Sequence, residues 1–377
     1  MTYDLLIAGG GINGCAIARE ASLLGLSVLL VEKDDLAAHT SSASSKLIHG
    51  GLRYLETYEF RLVREALQER ERMLAAAPHL IHPMAFVLPH SNSVRPWWMV
   101  RAGLYLYDLL GLGSSLPRSR ALSRHDPRLA PIAQNVGGFL YWDAQVDDAA
   151  LVRANAADAI ANGALVETGI GVTGAERNST GWTVSLSDGR TVDARAIVNA
   201  TGPWVNDFLD TIRIRTASGL RLIKGSHIVV PALWEEDQAY ILQQPDRRVV
   251  FATPWRGGTM IGTTDVPVER PEDAGITPDE IDYLCAAANR YFKRQIAPAD
   301  VTATWSGIRA LYDDGRDEAR TITRDYVLEL DTRGAPILSV FGGKITTARA
   351  LGEHALAKLA PALGFTARPV TRDRPLP

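Results

Sequence analysis

Asp4-Leu5-Leu6-Ile7-Ala8-Gly9-Gly10-Gly11-Ile12-Asn13-Gly14 decides the fold, read together with Leu26-Ser27-Val28-Leu29-Leu30-Val31-Glu32-Lys33. The two runs of Leu, Ile and Val read as buried parallel strands. Between them, an apolar-periodic run to Leu24 begins on Gly9-x-Gly11-x-x-Gly14 and reads as a helix. Gly9 permits a tight turn out of the strand, Gly11 lets the backbone approach a pyrophosphate, and Gly14 lets the helix pack close to the sheet. Unpaired N–H groups and the dipole at such a helix start favour an anion. Glu32 ends the second strand, where an acid would hold a ribose hydroxyl and disfavour a 2′-phosphate. A glycine turn alone could be structural. Strand, glycines, helix and acid in this order predict a dinucleotide site in an α/β fold.

The chain has 377 residues, enough for about two domains, with 46% hydrophobic and 22% charged residues, as in ordinary globular proteins. A formal net charge of −3 gives no bulk electrostatic case for nucleic acid. The two cysteines, Cys15 and Cys285, suit neither a disulfide framework nor a metal cluster, so no metal site is expected. Cys15 reads as a small core residue of the first helix. No signal-peptide pattern and no run of membrane-spanning length occurs, and an intracellular protein is expected.

Asp34 to Leu55 is dense in small polar residues and glycine, which alone suits a flexible linker. Its ending in His49, Gly50-Gly51, Arg53 and Tyr54 suits a loop wrapped around a ligand. Tyr58 to Ala77 carries Leu62, Val63, Leu67 and Leu74 at helical spacing, with its charges expected on a solvated face. A helix from Ala149 to Asn162 should be capped by Asp147 or Asp148. Val166 to Val172 and Thr183 to Leu186 read as strands, with a turn at Asp188-Gly189. Ala196 to Ala200 reads as a buried strand ending at a ligand crevice. From Arg221 to Leu311 short β-like runs predict a second, antiparallel sheet, with a helix starting at Thr277-Pro278. Gly342-Gly343-Lys344 opens a last helix ending near Gly364.

Thr40-Ser41-Ser42-Ala43-Ser44-Ser45-Lys46-Leu47-Ile48-His49-Gly50-Gly51-Leu52-Arg53-Tyr54-Leu55 resembles the signature of the quinone-linked, FAD-dependent glycerol-3-phosphate dehydrogenases. Ala200-Thr201-Gly202-Pro203-Trp204, Lys224-Gly225-Ser226-His227, Gly262-Thr263-Thr264-Asp265 and Phe341-Gly342-Gly343-Lys344 also match, in the family's order and over nearly the whole chain. The wider D-amino-acid-oxidase-like flavoproteins share the fold but not the His-Gly-Gly-Leu-Arg-Tyr run. The resemblance implies a Rossmann-like FAD domain (1–85, 143–212 and 318–377) and a largely antiparallel substrate-binding domain (86–142 and 213–317). The helical C-terminal domain usual in the family is absent from this sequence. The implied reaction oxidises sn-glycerol 3-phosphate to dihydroxyacetone phosphate and passes electrons to a membrane quinone. An oxygen-using oxidase and a non-catalytic flavin-binding module are the alternatives, and homo-oligomerisation stays open.

Carried onto this sequence, the resemblance implies FAD contacts from Gly9, Gly11, Ile12, Asn13, Gly14, Glu32 and Lys33. It implies more from Thr40, Ser41, Ser42, Ser44, Ser45, Lys46, Leu47, His49, Gly50 and Gly51. Distant contacts are Val172, Ala200, Thr201, Gly202, Trp204, Gly342, Gly343, Lys344, Ile345 and Thr346. Hydride arriving at flavin N5 leaves negative charge near N1 and the C2 oxygen, and N–H groups at the Gly342-Gly343-Lys344 helix start would stabilise it. Arg53, Arg309, Arg324 and Lys344 are candidates for the substrate phosphate, because guanidinium forks and ammonium groups bind such dianions. Tyr54 and Thr264 are further substrate contacts. The base is His49 or His227, with His49 favoured because it shares a loop with Arg53 and Tyr54, and Arg309 could stabilise the forming alkoxide.

The most apolar segment, Arg95 to Leu110, contains Trp97, Trp98, Leu104, Leu106, Leu109 and Leu110, with Arg118, Arg120 and Arg124 following. It reads either as a core helix or as a helix lying in an anionic membrane interface. The family resemblance favours the second, at the cytoplasmic face of the cell membrane.

Overall fold

Strand Thr2–Ala8 sits centrally in a parallel sheet, between Val28–Glu32 on one side and Thr191–Asn199 on the other. The computed structural model describes residues 2–216, 218–313 and 325–377. Among these, the first sheet runs Val327–Asp331, Ile337–Phe341, Thr191–Asn199, Thr2–Ala8, Val28–Glu32, Leu165–Thr168, and the hairpin of Val172–Arg177 and Trp182–Leu186 joins it on Thr191–Asn199. The helices are α1 (Ile12–Leu23), α2 (Phe60–Ala76), α3 (Trp97–Leu110), α4 (Asp148–Ala161), α5 (Val205–Thr211), α6 (Pro278–Asn289) and α7 (Ala348–Leu363). On one face of the first sheet α1 packs between α4 and α7, over a core containing Leu5, Ile7, Ile17, Leu151 and Leu356. The other face buries Leu6, Leu29, Trp182 and Phe208 beneath α5 and the hairpin. Gly14 is obligatory for the first packing, since a Cβ there would stand 2.0 Å from the Gly9 carbonyl oxygen.

The second sheet is antiparallel except where Ala239–Gln243 pairs parallel with Ile81–Pro89. Its longest pairing joins Leu220–Pro231 to Ala303–Tyr312, with Gly225 opposite Gly307 and His227 opposite Trp305. One face carries α6 and the other α2 and α3. The chain enters this sheet earlier than residue 86: Ile81–Pro89 pairs along its whole length with Gly138–Val146. Leu47–Ile48, inside the small-residue loop, is already its edge strand.

Several local expectations hold. Asp147 caps α4 by accepting from Ala150 N–H at 3.0 Å. Thr277 and Glu280 form a capping box with Pro278 in the first turn of α6. Gly364 ends α7 in the left-handed conformation. Val166 to Val172 is not one strand, because Gly169 at φ 72° breaks it into two. The charged face of α2 is not wholly solvated. Glu69 is 0% exposed beneath Arg349, and Arg70 is 3% exposed against Asp143. Periodicity shows where charges fall on a helix, but not that later segments bring partners to bury them.

Candidate active site

The C-terminal ends of the central parallel strands open into a crevice of about 470 Å³, closed on its far side by the second sheet. Gly9, Gly11, Ile12 and Asn13 form its floor where α1 begins. Gly11 lacks a side chain where a Cβ would approach Ser41 Oγ to 3.1 Å. Ser41 Oγ accepts the Ile12 N–H at 3.0 Å, so a hydroxyl occupies the helix start in the way a bound anion would. Glu32 holds the turn as well as lining the crevice: it accepts Gly10 N–H at 2.6 Å and Asp34 N–H at 2.9 Å. Lys33 Nζ lies 3.8 Å from the Trp204 ring centroid, making a flat charged wall at that end.

Of the expected cofactor contacts, Gly9, Gly11, Ile12, Asn13, Glu32, Lys33, Thr40, Ser41, Ser44, Ser45, Leu47, His49, Val172, Ala200, Thr201, Gly202, Trp204, Gly342, Gly343, Lys344, Ile345 and Thr346 line this crevice. Five others do not. Gly14 faces Gly9, and Ser42 donates to the His39 carbonyl. Lys46 is 6% exposed and is spent on Asp148 at 2.7 Å and the Ser42 carbonyl at 2.9 Å. Gly50 faces the core against Leu67 and Tyr107, and Gly51 opens instead into a second cavity. Lys46, Ser42 and Ser44 together pin the loop to α4, since Ser44 Oγ also donates to Asp148 at 2.7 Å.

The second cavity, about 200 Å³, adjoins the crevice where both are lined by Ser45, His49, Tyr54 and Arg309. It is also lined by Arg53, Glu56, Arg95 and Gln243. Arg309 is held from both sides: its guanidinium ion-pairs with Asp265 and donates to Thr263 Oγ1 at 2.9 Å. It can lie there because residue 225 is glycine; a Cβ would stand 2.4 Å from Arg309 Nη2. Gly262 likewise makes room for His227, whose ring would meet a Cβ at 2.0 Å. Thr264 is corrected: it is 1% exposed and donates to Glu280, so Thr263 is the threonine of that motif facing the cavity. Arg324 lies outside the described residues.

His227 is 2% exposed, stacks on Trp305 at 5.5 Å and 17°, and hydrogen-bonds Ser45 Oγ through Nε2 at 2.9 Å. Burial, with Arg309 and Lys46 nearby, pulls its pKa down to about 3, so the imidazole is neutral and weakly basic. Lys344 Nζ is buried over the Tyr54 ring at 4.6 Å. Asn13 Oδ1, His227 Nδ1 and Lys344 Nζ are buried without a hydrogen-bond partner among the described residues, and all three residues line the crevice. Gathered in one crevice, these three atoms are available to a polar ligand. Sequence reading missed Thr263, Asp265 and Gln243, which the strands of the second sheet bring to the cavity, and Glu56 and Arg95, which come from the turn Leu52–Thr57 and the loop before α3, Arg95 bonding both Glu56 and Gln243.

A glycine-floored crevice at the strand ends, an acid on the second strand and a second sheet closing over the far end define a dinucleotide-dependent oxidoreductase. The chain belongs to the FAD-dependent oxidoreductase family, whose model matches residues 4–349. It is 51% identical over 390 residues to D-erythritol 1-phosphate dehydrogenase of Brucella abortus, covering 100% of this chain and 77% of that protein. It is also 51% identical over 370 residues to aerobic glycerol-3-phosphate dehydrogenase of Escherichia coli, covering 96% and 74%. Among solved structures, glycerol-3-phosphate dehydrogenase from Bacillus halodurans complexed with FAD superposes with a TM-score of 0.77 at 27% identity, covering 98% of this chain and 67% of that one. The protein is a flavoenzyme with FAD as its cofactor.

Proposed function

We propose that this enzyme oxidises the C2 hydroxyl of sn-glycerol 3-phosphate to the ketone of dihydroxyacetone phosphate. The observation that carries the reading is the junction at His49 and Tyr54, where the flavin crevice meets a cavity flanked by two cations not yet ion-paired. Arg53 has no side-chain partner among the described residues, and Lys344 Nζ has only the Tyr54 ring. Both are free to take a phosphate dianion. Arg309, committed to Asp265, is suited to a neighbouring alkoxide instead. When bound, FAD supplies the two-electron acceptor for the carbinol hydride. His49, lining both cavities, takes the hydroxyl proton; the low basicity of His227 argues against it in that role. Relatives at 50–51% identity bearing the glycerol-3-phosphate dehydrogenase name support this substrate.

The equally similar D-erythritol 1-phosphate dehydrogenase supports a second reading, a longer polyol phosphate whose extra hydroxyl would be met by Gln243 in the second cavity. Anaerobic addition of glycerol 3-phosphate should bleach the bound flavin, and glycerol should not. A preference in kcat/KM for D-erythritol 1-phosphate would favour the second reading.

The electron acceptor in this proposal is a membrane quinone, reached from an anionic membrane surface. No described helix is long and apolar enough to cross a membrane. One face of α3 instead exposes Trp98 at 67%, Tyr105 at 63% and Leu109 at 47%, with Leu112 at 69% just beyond its end. Leu104, expected at the interface, is fully buried, and Trp97 is half-committed to the Phe139 ring at 4.2 Å. The interfacial face is therefore narrower than the whole apolar run.

A further inference from the structure

Two consecutive peptide N–H groups in the active-site loop point to opposite sides. His49 N–H donates towards Thr346 Oγ1, on the crevice side, at 3.4 Å. Gly50 N–H donates into the core, to Tyr107 Oη at 2.9 Å and towards Asp143 Oδ1 at 3.3 Å. Tyr107 Oη donates in turn to both Asp143 carboxylate oxygens, at 2.8 and 2.9 Å, and Arg70 donates to Asp143 at 2.7 Å. Arg70, Tyr107 and Asp143 are each at most 3% exposed, on α2, α3 and the strand Gly138–Val146. Tyr107 and Asp143 therefore meet at one backbone amide, with Arg70 holding Asp143, next to the proposed base and three residues before Arg53. Only glycine fits at residue 50, because a Cβ would stand 2.5 Å from both Tyr107 Oη and Leu67 Cδ2. Burial and the Asp143 charge hold the Tyr107 phenol protonated, so it stays a donor to Asp143 and an acceptor for Gly50.

We propose that Tyr107 and Asp143 are positioning residues for the reductive half-reaction: they anchor the Gly50 amide and so fix His49, Arg53 and Tyr54 over the cavity. The kinetic part rests on the glycerol 3-phosphate reading. A charge-assisted, fully buried chain is stiff, and small losses of alignment at a reacting centre are costly.

The test compares flavin-loaded wild type, Tyr107→Phe and Leu104→Ala, the last weakening the same helix from a residue lining neither cavity. Tyr107→Phe should keep its flavin but reduce it at least about tenfold more slowly at saturating glycerol 3-phosphate. Backbone amide exchange in 49–54 should rise. Asp143→Asn, which keeps the shape, should move both readouts in the same direction. Leu104→Ala should lower Tm and leave the reduction rate unchanged. A Tyr107→Phe enzyme with wild-type reduction and wild-type exchange in 49–54 overturns the proposal, whatever its Tm. If wild type itself is not reduced by glycerol 3-phosphate, the substrate reading fails, and the exchange comparison alone decides whether the anchor exists.

Discussion

The crevice wall supplied by the first sheet is made of backbone, glycine and short polar side chains, whereas the second wall, the second sheet with the second cavity beside it, carries longer polar and charged side chains, several of them paired with one another. On the first wall, Gly9, Gly11 and Ser41 act through what they leave open or through single hydrogen bonds to amides. On the second, Arg309 with Asp265, and Arg95 with Glu56 and Gln243, set charges at fixed places before any ligand arrives. A site built by exclusion should fail sharply when filled. A site built from charges should fail by degrees, as each contact is removed.

The largest effect should come from filling the first wall. Gly11→Val should leave a folded protein with little bound flavin, by about tenfold or more, since the pyrophosphate approach needs a bare backbone. Flavin released on denaturation, measured against protein, checks this, and a fully loaded variant would erase the contrast between the walls. Next is the second wall. Arg53→Ala should keep its flavin and raise KM for glycerol 3-phosphate about 10- to 100-fold, the cost of one charge-assisted contact. Steady-state kinetics with flavin content measured in parallel would show the two walls failing separately.

A third test concerns the cost of burying a titratable group in the second wall. His227 is held at about 3 in the fold against an ordinary 6.5. The unfolded imidazole takes up a proton below about 6.5 while the folded one does not, so stability is complete above that pH. It falls by about 1.4 kcal/mol per pH unit as acid is added through the window. His227→Gln should flatten this dependence, as read from urea midpoints at neutral pH and about pH 5. Equal slopes in both proteins would mean that the site protonates without penalty. The smallest effect belongs to the outer face of α3: Trp98→Ser should change stability by no more than about 0.5 kcal/mol, yet weaken sedimentation with anionic vesicles. Loss of folding in that variant would return the face to the core.

The same contrast sets what was legible in the sequence. The first wall is local: Gly9, Gly11 and Glu32 lie within one strand–helix–strand unit, so spacing alone carries their roles. The second wall is assembled by pairing that no spacing records. Thr263 and Thr264 look alike in sequence, and only the strand edge at Gly262 decides that Thr263 faces the cavity while Thr264 turns to Glu280. Lys46 looks like a ligand cation until Asp148, a hundred residues on, claims it. Tyr107 reads as one aromatic among several in an apolar helix. Its hydroxyl acquires meaning only where Asp143 and Gly50 meet it.

The central claim is that the C2 hydrogen of glycerol 3-phosphate leaves as hydride at the junction of the two cavities. Single-turnover anaerobic reduction of the flavin-loaded enzyme, with substrate carrying hydrogen or deuterium at C2, tests it directly. The account predicts complete bleaching by either substrate, with the deuterated one reacting several-fold more slowly. A flavin that dithionite bleaches but glycerol 3-phosphate does not, or that it bleaches without an isotope effect, would contradict it.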